Sequence, residues 1–280
     1  MNIEIAIKNA CQELKKNKIS SALLDSELLL SKVIKKDRKF ILLNLDRKLN
    51  QNDQDSFKDL ILERLKGKPV AHLIGFKSFW NYNFKVNEKV LIPRPETEII
   101  VEQVLKIYKN KDNLNFLEVG VGSGCISISI LKEKKSFLAT GIDLSQDCIK
   151  ICRFNANKLG VNNRIKLLKS DVDNLIFRKY DLVISNPPYI KKLDLSKLDR
   201  EVKNYEPKLA LDGGLKGLSV IRKVIKRSSG LIKKRGKLIL EIGYDQREQV
   251  KKMLNEYNFF INEILKDLSN KDRCIISTKK

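Results

Sequence analysis

Apolar residues recur at helical spacing through the first part of the chain. Ile3, Ile7, Ala10 with Cys11, and Leu14 fall on one face, which predicts a helix over residues 2–16. Ser20 and Ser21 offer N-caps to a second helix carrying Leu24, Leu28, Val33 and Ile34. A shorter apolar stretch follows at Phe40–Leu45. Gln54–Lys66 then predicts another helix, with Phe57, Leu60, Ile61 and Leu65 on one side and Gly67-Lys68-Pro69 as its stop. Residues 1–72 therefore read as a small helical domain without a catalytic pattern. From Leu73 to Ile92 the period changes. Short aromatic and β-branched runs, Phe76–Trp80 and Tyr82–Val86, are broken at Asn81 and Asn87, so residues 73–92 are expected to form a β-hairpin linker.

Beyond residue 93 the chain alternates strands with helices. After Pro93-Arg94-Pro95-Glu96-Thr97-Glu98 and a helical run to Tyr108, Phe116–Val119 leads straight into Gly120-Val121-Gly122-Ser123-Gly124 and the helix Cys125–Leu131. Phe137–Ile142 ends at Asp143, and Ser145 caps a helix running to Leu159. Arg164–Lys169 ends in Ser170-Asp171-Val172, and Tyr180–Ile184 delivers Ser185-Asn186-Pro187-Pro188-Tyr189-Ile190. A polar, loop-rich stretch occupies Leu193–Glu206. A basic amphipathic helix (Leu218–Ile232), a strand (Lys237–Ile242) and a helix (Gln246–Tyr257) follow it, and Phe259–Ile264 and Arg273–Thr278 should close the sheet as an antiparallel pair. The expected fold class is α/β: a Rossmann-like, doubly wound sheet over residues 93–280, preceded by the helical domain and the hairpin.

Open sheets of this kind bind ligands where the strands leave the sheet, and four successive strand ends here carry polar chemistry. The glycines let the backbone turn sharply and approach a ligand without Cβ contact. Cys125 stands where the dinucleotide fingerprint takes Gly or Ala, which weakens a nicotinamide reading. The Asp143 carboxylate can accept both hydroxyls of a ribose. The Asp171 carboxylate can accept from an exocyclic adenine amine while the next backbone N–H donates to a ring nitrogen. Two prolines supply no N–H and bias the preceding residue to extended backbone, so they hold Asn186 and Tyr189 on a stiff arch.

Composition narrows the class without selecting the function. At 280 residues and net charge +22 the chain can bury a full core, and its basic excess invites polyanions. The lysines are nonetheless spread along the whole chain in company with much Asn and Ile, a pattern that a coding bias produces as readily as an RNA-facing surface does. No apolar run is long enough to span a bilayer and the amino terminus lacks a signal-peptide layout, so a cytoplasmic protein without membrane attachment is expected. The five cysteines show no metal-ligand pairing and His72 has no partner pattern, so no metal is expected and the thiols read as reduced packing residues.

Glu118 to Gly124, Asp143, Asp171 and Asn186-Pro187-Pro188-Tyr189 resemble the motifs of class I S-adenosylmethionine-dependent methyltransferases acting on amide or exocyclic amine nitrogen. Pro93–Glu98, with Pro69–Gly75 before it and Asn270–Arg273 near the end, resembles one subgroup, the peptide chain release factor N5-glutamine methyltransferases. The likeness runs from about Lys68 to the carboxyl terminus. Val121 stands where that family often has Thr, and Val172 where a larger aromatic is common. The resemblance implies S-adenosyl-L-methionine as cofactor, held by Gly120, Val121, Gly122, Ser123, Gly124, Asp143, Asp171, Val172 and Asn186. It implies Asn186, Pro187 and Tyr189 as catalytic residues, and these with Pro188 as the substrate contact. The implied substrate is the glutamine of the Gly-Gly-Gln motif in class 1 translation release factors, bound partly by the helical domain of a monomeric enzyme without stable nucleic-acid binding. Amino methylation of a nucleic-acid base, methylation of a ribosomal-protein glutamine and a non-catalytic cofactor-binding module stand as alternatives.

Overall fold

The structure is a computed structural model that describes residues 1–175 and 179–280. The chain divides into two compact units: Met1–Phe76 with Asp199–Tyr205, and Lys77–Leu198 with Glu206–Lys280.

The first unit is helical: α1 (Ile3–Lys16), α2 (Ala22–Ile34), α3 (Arg38–Leu43), α4 (Gln51–Leu65) and α5 (Val70–Ile74). Asn2, Asp37 and Asn50 cap α1, α3 and α4 by accepting the amides of Ile5, Phe40 and Asp53, which satisfies donors the helices leave orphaned. Ser21 sits at the start of α2 but caps no amide; its hydroxyl donates to the Asp25 carboxylate instead, at 2.9 Å. Leu73 and Ile74, grouped with the hairpin by their pattern, close α5, because Pro69 starts that helix and Gly75 ends it in a left-handed conformation. Ile3, Leu14, Leu29, Leu30 and Ile41 are fully buried between the helices. Arg64 lies among them with its charge paired twice, to Asp25 at 2.7 Å and to Glu201 at 2.6 Å. Glu201 belongs to the short helix Arg200–Tyr205, and the Tyr205 hydroxyl donates to the Lys66 carbonyl at 3.2 Å.

The hairpin β1 (Phe76–Phe79) and β2 (Tyr82–Lys85) comes next, in the second unit from Lys77 onward, and α6 (Glu98–Ile107) follows. Then β3 (Asn115–Val119), α7 (Cys125–Glu133), β4 (Leu138–Asp143), α8 (Gln146–Lys158), β5 (Ile165–Lys169) and β6 (Tyr180–Ser185) alternate. After α9 (Arg200–Tyr205), which packs with the first unit, come α10 (Ser219–Leu231), β7 (Ile232–Glu241), α11 (Arg247–Glu256), β8 (Phe259–Lys266) and β9 (Asp272–Lys279). Among the described residues seven strands form one sheet in the order β5-β4-β3-β6-β7-β9-β8. The β3–β4, β3–β6, β4–β5 and β6–β7 pairs are parallel, and β9 runs antiparallel to β7 and β8. Successive side chains of a strand face opposite ways, so Phe116, Leu182 and Ile239 enter one core and Leu117, Val183 and Leu238 the other. A sheet covered on both faces has its edges and strand ends left for ligands. Register fixes that site: Val119 lies beside both Ile142 and Ser185, and Asp143 beside Lys169, so four strands end together. No helix among the described residues is long and apolar enough to cross a membrane.

Candidate active site

The strand ends enclose a cavity of about 370 Å³, inside the range typical of small-ligand pockets. Gly120, Val121, Gly122 and Ser123 line it beyond β3, Asp143 at the end of β4, Asp171 and Val172 beyond β5, and Asn186, Pro187 and Pro188 beyond β6. Gly124 and Tyr189 stand outside the lining, each for a structural reason given below.

Gly120, Gly122 and Gly124 all have positive φ, at 78°, 53° and 82°. A Cβ on Gly124 would come 2.5 Å from Cys152 Sγ and 2.6 Å from Ile128 Cδ1, so this glycine lets α7 pack closely on α8. The loop is held from two sides. Amides of Gly120 and Val121 donate to the Ile142 carbonyl, each at 2.9 Å. Asn155 on α8 donates to the Ser123 carbonyl at 2.8 Å and exchanges bonds with the Lys85 backbone, which ties the hairpin to the loop.

Asp143 accepts the Gly122 amide on one oxygen at 3.0 Å and the Ser145 amide on the other at 2.9 Å. Each oxygen keeps a lone pair for a ligand hydroxyl. Burial pushes this carboxyl above its ordinary range, and the two amides pull it back in part. Asp171 accepts the Asp173 amide at 2.9 Å and the Lys223 ammonium at 2.6 Å. Burial opposes its charge, yet that amide and that cation hold it below the usual carboxylate range. Lys223 itself lines the cavity, so a ligand amine at Asp171 shares the carboxylate with a cation. Val172 is buried in the core behind.

The arch after β6 is braced on every side. Ser185 donates to the Val119 carbonyl at 2.7 Å. The Gln246 side chain donates to the Tyr189 carbonyl at 2.9 Å and the Gly217 carbonyl at 3.0 Å. The Asn186 Nδ2 donates to Thr97 Oγ1 at 3.1 Å, which leaves its Oδ1 as the free end of the amide. Thr97 donates to Glu241 at 2.7 Å, and the Tyr189 hydroxyl reaches the other Glu241 oxygen at 3.3 Å. Burial raises the Tyr189 phenol well above its ordinary value. Arg94, also in the lining, is paired at 2.5 Å with Glu206, whose other oxygen accepts the Ile92 amide at 3.1 Å.

Thr97, Glu118, Lys223, Glu206 and Glu241 are residues to which the sequence assigned no site role, although Thr97 and Glu118 stand inside the motifs quoted above. Glu118 and Glu241 carried a signal, since each is a lone acid flanked by apolar residues, Phe116-Leu117 and Val119 for the first and Leu238-Ile239-Leu240 and Ile242 for the second, and a buried carboxylate is costly unless bonded. Glu118 lines the cavity, accepts both the amide and the hydroxyl of Ser127, and is pushed up to about 8 by burial. Lys223 is one of four basic residues on its helix, with Arg222, Lys226 and Arg227, and carried none. Among the described residues no group of His, Cys, Asp and Glu could hold a metal ion, and burial raises Cys125, Cys148, Cys152 and Cys274 above the ordinary thiol range.

A parallel sheet with an antiparallel β9, a glycine loop, a carboxylate with unused lone pairs and an Asn-Pro-Pro arch at one edge define an S-adenosylmethionine-dependent methyltransferase. The cavity suits that cofactor, since Asp143 has free lone pairs beside a loop without Cβ atoms at Gly120 and Gly122. Solved structures share the fold: a ribosomal protein L11 methylase from Lactobacillus delbrueckii subsp. bulgaricus matches 73% of this chain and 90% of its own at 16% identity and a TM-score of 0.51. A methyltransferase from Pyrococcus furiosus matches 79% of this chain and 97% of its own at 16% identity and a TM-score of 0.54. Residues 6–75 match the family described as PrmC N-terminal domain, and residues 96–216 that described as Methyltransferase small domain. Release factor glutamine methyltransferases from Clostridium botulinum and Fusobacterium nucleatum are 39% and 37% identical, over 95% and 99% of this chain and 95% and 79% of their own lengths. The chain belongs to the release factor glutamine methyltransferase family.

Proposed function

We propose that this chain transfers a methyl group from S-adenosyl-L-methionine to the side-chain amide nitrogen of the glutamine in the Gly-Gly-Gln motif of class 1 translation release factors. The observation that carries the proposal is the Asn186 amide, pinned through Nδ2 to Thr97 with Oδ1 unengaged at the cavity. The cofactor, once bound, supplies an electrophilic methyl on a sulfonium centre. An amide nitrogen is a poor nucleophile because its lone pair is delocalised. In this reading Asn186 Oδ1 and the Pro187 carbonyl accept its two N–H bonds, turn the lone pair toward the methyl and stabilise the positive charge that develops. Asp143 and the loop Gly120–Gly124 hold the nucleoside, with Asp171 and Val172 at the base and Pro188 and Tyr189 completing the arch. The two glycines of the substrate motif put no side chain in the way of a narrow pocket.

A tripeptide is too small to specify one protein, so the helical unit is assigned the wider contact with the release factor. The same reading places a monomeric enzyme in the cytoplasm and gives it no stable nucleic-acid or membrane partner. Mass spectrometry of a class 1 release factor incubated with enzyme and cofactor should find one added methyl on that glutamine, and none on a Gln→Asn variant. Methyl on a ribosomal-protein glutamine or on RNA bases, with the factor untouched, would overturn the assignment.

A further inference from the structure

Behind Asn186 lies a chain of polar groups that the transfer itself does not use. Thr97 Oγ1 sits 3.1 Å from Asn186 Nδ2 and 2.7 Å from a Glu241 oxygen. The second Glu241 oxygen is 3.3 Å from the Tyr189 hydroxyl, which is 3.4 Å from Arg273. Arg273 is anchored in turn on Asp267, at 3.0 Å and 3.1 Å. Thr97 and Glu241 are both buried, at 2% exposure each, so water does not stand in for either partner.

We propose that Thr97 and Glu241 are positioning residues that fix which end of the Asn186 amide faces the acceptor. This rests on the reading above, in which Asn186 Oδ1 accepts from the substrate nitrogen. A threonine hydroxyl has one proton. An ionised Glu241 can only accept, so that proton is committed to it, and Thr97 has only lone pairs left for Asn186. Only the Nδ2 end of the amide can meet a lone pair, so Oδ1 is turned to the cavity. A protonated Glu241 can donate to Thr97 instead. The threonine proton is then released toward Asn186, the amide is favoured in the opposite sense, and its NH₂ confronts the N–H bonds of the substrate.

Glu241 titrates where this matters. Burial raises it to about 7, opposed by the Thr97 hydroxyl, Arg273 on β9 and the Tyr189 hydroxyl, and reinforced by Glu96 in the turn before α6. Cys125 on α7 and Cys274 on β9 also face it, and both are thiols that burial keeps protonated. Turnover should therefore rise with pH through about 7 as Glu241 loses its proton.

The test is the pH dependence of single-turnover methyl transfer, with cofactor affinity measured alongside, for the parent, Glu241→Gln, Thr97→Val, Thr97→Ser and Asn186→Ala. A glutamine can accept from Thr97 with its oxygen and donate to Tyr189 with its nitrogen, so Glu241→Gln should keep activity and lose the inflection near 7. Thr97→Val leaves a half-buried amide N–H without its threonine partner and should be slower by about tenfold to a hundredfold. Thr97→Ser should behave as the parent. Glu118 is common to every variant, so any difference between profiles belongs to the Asn186 chain. If Asn186→Ala is inactive but Glu241→Gln keeps the parental inflection, or Thr97→Val stays within about twofold of the parent, the positioning role fails alone. If Asn186→Ala transfers methyl normally, the arch reading fails and this inference goes with it.

Discussion

Glu118→Gln should make the ligand-free protein more stable at neutral pH and remove part of the decline in its stability as pH rises. Glu118 is 1% exposed, stands one residue before the end of β3 beside the cavity, and accepts the Ser127 amide at 2.9 Å and the Ser127 hydroxyl on the same oxygen. A glutamine carbonyl can accept both, so the substitution removes the titrating group and keeps the bonds. Burial raises the carboxyl from an ordinary 4.5 to about 8. Between those values the folded protein holds a proton that the unfolded chain has released, so stability must fall with rising pH. The contribution is complete below 4.5 and is lost as pH climbs through about 8. Each pH unit inside that window costs about 1.4 kcal/mol, which makes roughly 3 kcal/mol by pH 7. Glu241 adds a similar slope up to about 7, in parent and variant alike. The difference between the two proteins therefore isolates Glu118. Urea unfolding at several pH values, followed by the fluorescence of the single tryptophan, reads the correct unit, because Trp80 lies in the hairpin and bonds Glu133 at 2.9 Å. Parallel stability curves for parent and variant from pH 5 to 8 would refute the reasoning.

Asn186→Ala should cut methyl transfer by about a hundredfold or more while cofactor affinity, measured by calorimetry, moves little. Asp143→Ala should weaken cofactor binding first, since its two oxygens are proposed to accept the ribose hydroxyls; an unchanged dissociation constant would count against that role. Gly124→Ala and Gly75→Ala each put a methyl at positive φ, but only the first strikes Cys152 and Ile128, since nothing lies within 4 Å of the second. Thermal or urea unfolding should show Gly75→Ala losing about 1 kcal/mol and Gly124→Ala about 1–3 kcal/mol more.

The periodicities that mark α1, the hairpin and the strands β3 to β6 come from side chains facing one buried surface each, so a sequence displays them directly. The strand-end chemistry was readable for the same reason: Asp143, Asp171 and Asn186 each follow an apolar run, and chain order alone puts them at one edge. What the sequence hid are contacts across long separations. Thr97 meets Glu241 across 144 positions, and Lys223 meets Asp171 across 52. No local pattern encodes which lysine of a basic helix reaches the cavity. Ser21 and Tyr189 show the complementary limit, because each has a good local role and is drawn by a carboxylate into another, Asp25 for the one and Glu241 for the other. The polar stretch Leu193–Glu206 read as loop because α9 is only one turn and a half long and draws its stability from Arg64 and Lys66, far away in the chain.

That last pairing bears on how such a protein can be inherited in pieces. The helical unit is finished by residues 199–205, and the guanidinium in its middle, that of Arg64, takes its second carboxylate from there. During synthesis the unit must wait for more than a hundred intervening residues before that charge is fully compensated, so its folding is tied to long-range closure rather than to local helix formation. A recombination event that swaps residues 1–76 between relatives exchanges Arg64 without the loop that carries Glu201. Glu201 is 41% exposed and Asp25 stays paired with the buried guanidinium, so losing Glu201 costs about 1–3 kcal/mol, a noticeable share of the stability of an ordinary domain. Productive exchanges should therefore move two segments at once, and a chimera joined only near Phe76 should be rescued by transplanting Asp199–Tyr205 as well.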